Sequence, residues 1–123
     1  MARRRMFSND ITDSDAFQDM PLSAQALYFH LGMKADDDGV VNSPKAVQRS
    51  LGASPDDLKL LVAKRFIIPI AESEIVVIKH WKINNLIQKD RYTPSKYQRE
   101  LALLELDENK AYREKGVSLV DTL

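Results

Sequence analysis

The stretch SPKAVQRSLGASPDDLKLLVAKRFIIPIAESEIVVIKHW, residues 43–81, decides how the rest of the chain is read. Asn42 or Ser43 caps a helix whose first position is Pro44, where a missing N–H costs nothing. Ala46, Val47 and Leu51 form its inward side and Lys45, Gln48 and Arg49 its outward side, and Gly52 stops it. Ser54-Pro55-Asp56-Asp57 opens a second helix with a cap, a first-turn proline and two acids suited to the positive helix end. Leu58, Leu61 and Val62 are its core side, Phe66 follows at its exit, and Lys59 and Lys64 lie off that side. Ile67-Ile68-Pro69-Ile70 and Ile75-Val76-Val77-Ile78 then read as two strands joined by a Glu72-Ser73-Glu74 tip. Pro69 cannot donate to a central ladder, which puts its strand at an edge.

Helix, turn, helix and hairpin in that order are the outline of a winged helix. The expected class is α+β, mostly α: a winged helix-turn-helix with a small antiparallel wing and extra N- and C-terminal helices. Working outward, Val40-Val41 is a short strand that pairs with the wing. Asp36-Asp37-Asp38-Gly39 before it is a turn, since the alternating ligands and closing glutamate of a calcium loop are missing. Ser23 caps the first long helix, with Ala24, Leu27, Tyr28, Leu31 and Ala35 as its core stripe and Phe29 and Met33 on another side. His30 has no partner at helical spacing and reads as a packing residue. Asp10, Asp13, Asp15 and Asp19 alternate with Ile11, Ala16, Phe17 and Met20 as the solvated side of a short docking helix. At the other end, SKYQRELALLEL, residues 95–106, reads as a last helix through Tyr97, Leu101 and Leu104. The domain is expected to span 1–106, with 107–123 a loosely held tail.

The 123 residues suit one core, and the absence of cysteine excludes disulfides, thiolate metal sites and a cysteine nucleophile. No apolar run approaches the ~20 residues of a membrane span, and the basic start MARRRMFSND has no apolar region behind it. The expectation is a cytoplasmic protein without membrane partners. Net charge is zero, yet it is segregated: residues 1–39 carry four Lys/Arg against seven Asp/Glu, 40–99 eleven against five, and 100–123 three against six. A basic middle between acidic flanks suits a polyanion, or else flanks that pair onto the middle.

A helix that reads the major groove contacts bases with its N-terminal residues, and here those are Asp56 and Asp57, which repel phosphate. The candidate DNA contacts are therefore cations on helix flanks and beyond the wing: Lys45, Arg49, Lys59, Lys64, Lys79, Lys82, Lys89 and Arg91, with Arg3, Arg4 and Arg5 as a basic N-terminal arm. Trp81 and Tyr92 interleave with the later cations in a manner suited to nucleic acid. The competing reading has Trp81 and Ile83 finishing the core while the lysines stay in water.

DSDAFQDMPLSAQALYFHLGMKADDDGVV (13–41), LKLLVAKRFI (58–67) and VIKHWKINNLIQKDRY (77–92) resemble the N-terminal domain of phage replisome organisers. That domain is similar to the winged-helix N-terminal domain of DnaD-type primosome proteins. The likeness covers roughly positions 3–100, with ALYFHLGMKADDDG and KHWKINNLIQKDRY its most specific phrases. It implies a phage or prophage protein that helps assemble a replication complex on origin DNA, recruits helicase-loading partners and often oligomerises. Full-length members of the family carry a further C-terminal region, whereas this chain ends at Leu123.

The expected function is accordingly a non-catalytic DNA-binding module of phage replication initiation, without cofactor or metal. No base, nucleophile or ligand set supports an enzyme such as a nuclease built on Asp36, Asp37 and Asp38. The alternative is a self-association or protein-interaction module. It is motivated by the two-faced first long helix, the leucine-rich C-terminal segment and the acidic start of the second short helix.

Overall fold

A computed structural model describes residues 4–70 and 74–115. Two single-turn helices, α1 (Asn9–Thr12) and α2 (Asp15–Gln18), lead into α3 (Leu22–Lys34). There follow β1 (Val40–Val41), α4 (Pro44–Leu51), α5 (Pro55–Ala63), β2 (Ile67–Pro69) and β3 (Val76–Ile78). A last turn of helix α6 (Trp81–Asn84), a loop, α7 (Gln98–Leu101) and a hairpin of β4 (Leu104–Leu106) with β5 (Tyr112–Glu114) complete the described residues. The protein is a mixed α+β fold whose principal sheet is antiparallel in the order β1-β3-β2.

The central strand β3 pairs Val77 with Val40 on one side and with Ile68 on the other. Pro69 lies on the outer strand β2, where its missing donor interrupts nothing. α3, α4 and α5 pack on one another, with α5 against β2 and α3 against β1, and Leu27, Leu31, Leu61, Ile67, Ile68, Val77 and Ile78 are fully buried, the strand residues on both faces of the sheet. Phe17, Tyr28, Phe29 and Phe66 continue the core as edge-to-face ring pairs 5.3–5.9 Å apart. Phe29, expected on a second face of α3, is covered by Phe7 and Phe17, whereas Met33 is exposed.

The boundaries of α4 and α5 follow their local signals, but within α4 Gln48, expected outward, is buried, Ala46, expected inward, is exposed, and among the described residues the Ser43 side chain makes no cap bond. Gly52 ends α4 at φ +80°, and Ser54 and Asp57 form a reciprocal capping box at the start of α5. Ser23 does not cap α3: Pro21 holds that position, and the Ser23 hydroxyl donates instead to Asp57 at 3.0 Å.

The C-terminal segment departs from the expected long helix. Only Gln98–Leu101 is helical; Leu104–Leu106 pairs with Tyr112–Glu114. The turn between them is fixed by Asp107, whose carboxylate accepts the N–H groups of Asn109 and Ala111 at 2.8 and 3.0 Å. Ala111 and Tyr112 are buried, so the ordered body extends past the expected boundary at 106 to at least Lys115. The LLEL run fits a strand and a helix equally well by period, and the Asp107 turn decides for the strand.

Candidate nucleic-acid interface

α4 and α5 present the cations that the sequence singles out. Lys45 and Arg49 stand one turn apart on the exposed side of α4. Lys59 is exposed on α5 and Lys64 is its C-cap residue. Among the described residues none of these four makes an ion pair. Beside the Lys45 and Arg49 row, Ala46 and Ser50 border a groove of about 440 Å³ between α4 and the end of α3, to which Lys34, His30 and Asn42 also contribute. Lys34, not singled out from the sequence, also lines a second hollow of about 330 Å³ toward Thr93–Tyr97. Its place in the last turn of α3 was the available signal.

The carboxylate obstacle at the start of α5 is half removed. Asp57 is buried, with its oxygens accepting from the Ser54 N–H and the Ser23 hydroxyl, both at 3.0 Å. Asp56 remains exposed at that end.

Two other expected contacts are corrected, because their charges are used inside the fold. Arg5 does not belong to a free arm: its guanidinium lies 3.0 Å from Asp37, with side chains only 2% and 0% exposed. It also donates to the Ala35 carbonyl at 2.8 Å and sits over the Trp81 ring at 5.2 Å. Lys82 is paired with Asp38 at 3.1 Å and packs 5.6 Å from the Tyr92 ring centre. Trp81 itself is core, with its indole N–H donating to the Asp37 carbonyl at 2.9 Å. Of the rest, Arg4, Lys89 and Arg91 are exposed, Lys79 is half-buried, and Arg3 lies outside the described residues, as do Glu72 and Ser73 of the wing tip.

The acidic turn is thus an internal hub. Asp36 accepts the N–H groups of Asp38 and Val40 at 2.9 and 3.0 Å, which shapes the turn itself. Asp37 holds Arg5 and the Thr93 N–H. Asp38 accepts from Lys82, the Tyr92 hydroxyl and the Ser95 N–H, while its carbonyl accepts the Tyr112 hydroxyl. Burial alone would raise the Asp38 pKa; the Ser95 N–H, Tyr92 and Lys82 together outweigh it and hold the carboxyl below its ordinary range. Burial first, then the Asp38 carboxylate, pushes the Tyr92 hydroxyl up to about 12.

The arm is clasped further along. Asn85 exchanges hydrogen bonds with the Met6 main chain, and Asn84 joins the Ser8 N–H to the Tyr28 hydroxyl. Among the described residues no group of three or more His, Asp or Glu is placed to hold a metal ion. No family model matches this chain, and neither curated proteins nor solved structures give a match.

Proposed function

We propose that this chain is a winged-helix DNA-binding module of phage or prophage replication initiation, with no catalytic role. The helix order around a β1-β3-β2 sheet supports the winged-helix reading. The observation that carries DNA binding is that Lys45, Arg49, Lys59 and Lys64 stay exposed on α4 and α5 with no ion-pair partner among the described residues, while Asp57 is turned inward. Uncompensated side-chain cations on two packed helices are what phosphate contacts require. The replication context rests on the likeness of residues 13–41 and 77–92 to replisome organisers, and helicase-loading partners are part of the same proposal.

Fluorescence anisotropy with labelled duplex and single-stranded DNA tests this reading. The expected result is saturable binding at low salt that weakens steeply as salt is raised. No binding to either form at low salt would discard it.

A self-association module without DNA contact is the second reading, favoured by the exposed Leu22 and Met33 toward the two ends of α3. Sedimentation equilibrium showing a strict monomer at high concentration would remove it.

A further inference from the structure

Two hollows adjoin beside the end of α3. The groove of about 440 Å³ along α4 and the hollow of about 330 Å³ toward Thr93–Tyr97 share Lys34 and Asn42 in their walls, so together they form one trough. Val41, Val47 and Leu51 line one end of it with apolar surface, and Val40 and Pro94 the other. Each half falls in the range of ~300–1,000 Å³ typical of sites that enclose small organic groups.

The free charges along the trough are positive. Lys34 and Lys96 are exposed and have no ion-pair partner among the described residues. The two carboxylates in the wall serve the fold: Asp36 accepts the Asp38 and Val40 N–H groups, and Asp37 is buried against Arg5. Lys96 Nζ lies 5.3 Å from the centre of the half-buried Tyr97 ring, which sets an aromatic face and a solvent-exposed cation at the same end.

We infer that this trough binds a single strand of DNA, with phosphates on Lys34 and Lys96 and unpaired bases in the two hollows, one of them against Tyr97. The inference rests on the DNA-binding reading and adds to it a strand form and a place of its own. Cations along a groove, with apolar and aromatic surface for the bases, are the general means of holding single strands. A duplex keeps its bases stacked inside and offers phosphates and groove edges, which suit the exposed sides of α4 and α5 better than a hollow. A peptide added as a strand fits less well. Both main-chain groups of Val40 are already bonded to Asp36, its N–H to the carboxylate at 3.0 Å and its carbonyl to the Asp36 N–H at 2.9 Å.

The test titrates ¹⁵N-labelled full chain with a short oligothymidylate, which forms no duplex, and separately with duplex DNA. The expected result is saturable oligothymidylate binding that shifts the amides of Lys34, Asn42, Lys96 and Tyr97. Lys34→Gln with Lys96→Gln removes two phosphate contacts and flattens the salt slope for the oligonucleotide by roughly 1–1.4, a change that a merely structural role does not produce. Ala46→Trp, at an exposed position in the wall, fills the larger hollow and weakens oligothymidylate about tenfold. Lys96→Gln alone leaves duplex affinity unchanged. Duplex binding without oligothymidylate binding, oligothymidylate shifts confined to α5, or an unchanged slope overturns the inference and leaves the DNA-binding reading standing. No binding of either form overturns both. Shifts of the same amides on raising protein concentration without DNA give the trough to a second copy and overturn the inference as well.

Discussion

Arg5 and Asp37, separated by 32 positions, form an ion pair of 3.0 Å from which solvent is almost wholly excluded. The pair fastens the segment before α1 to the turn before β1, and Trp81 closes over it. A basic residue near the N-terminus thereby becomes part of the core rather than a contact for a polyanion. Removing one partner of such a pair leaves a buried charge uncompensated.

Arg5→Ala is therefore expected to destabilise the protein by about 3–5 kcal/mol. Arg4→Ala, one residue earlier and exposed, should change stability by no more than about 0.5 kcal/mol. Urea unfolding of the two variants beside the parent checks both values.

Gly39 and Gly52 both have positive φ, +89° and +80°, but only one is crowded. A Cβ at Gly39 would fall 2.5 Å from Cγ of the buried Trp81 ring, whereas one at Gly52 meets nothing within 4 Å. Gly52→Ala should cost only the left-handed backbone penalty, about 1–2 kcal/mol. Gly39→Ala adds displacement of the indole and should cost at least a further ~1–3 kcal/mol. Thermal melts of the pair measure the difference, and loss of Trp81 near-ultraviolet ellipticity in Gly39→Ala alone would locate its cause.

His80 packs beside Phe66, and its Nδ1 is buried without a hydrogen-bond partner among the described residues. Burial first, and then the neighbouring Lys79 charge, lower its pKa from 6.5 to about 4. The unfolded chain takes up this proton before the folded one does. The contribution of His80 to stability is thus intact above pH 6.5 and is lost as pH falls toward about 4, at roughly 1.4 kcal/mol per pH unit. Across that window His80→Phe should show a shallower decline than the parent in urea midpoints measured at successive pH values.

Asp38→Asn removes the charge that Lys82, Tyr92 and Ser95 share. The Tyr92 hydroxyl, pushed up to about 12 by burial and then by Asp38, should ionise at lower pH in the variant. Ultraviolet titration of tyrosinate, with Tyr92→Phe to assign the signal, reads this directly. An unchanged Tyr92 midpoint would mean that the hub does not form as described.

The stretch 43–81 was legible because its punctuation is local. Pro44, Gly52, Ser54, Pro55 and Pro69 each act on backbone within a few residues, and α4, α5 and the outer position of β2 follow from them. The roles of Asp37 and Asp38 were not legible. Their partners Arg5, Lys82, Tyr92 and Ser95 lie 32 to 57 positions away, so three adjacent acids read as no more than a turn. The LLEL run at 103–106 misled for another reason: four residues satisfy helical and strand spacing alike, and the side-chain turn at Asp107 arbitrates. Among the candidate contacts, exposure separates Lys45, Arg49, Lys59 and Lys64 from Arg5 and Lys82. No pattern in composition distinguishes an available cation from one already paired across the fold.

The slope of log K against log salt for duplex DNA, measured for the parent and for a variant with Lys45, Arg49, Lys59 and Lys64 all replaced by glutamine, tests the central claim most directly. Each phosphate contact contributes about 0.9 to that slope. The account predicts a slope shallower by roughly 2–4 in the variant, with binding weakened and the unfolding midpoint preserved. An unchanged slope would show that DNA does not use α4 and α5, and would contradict the account.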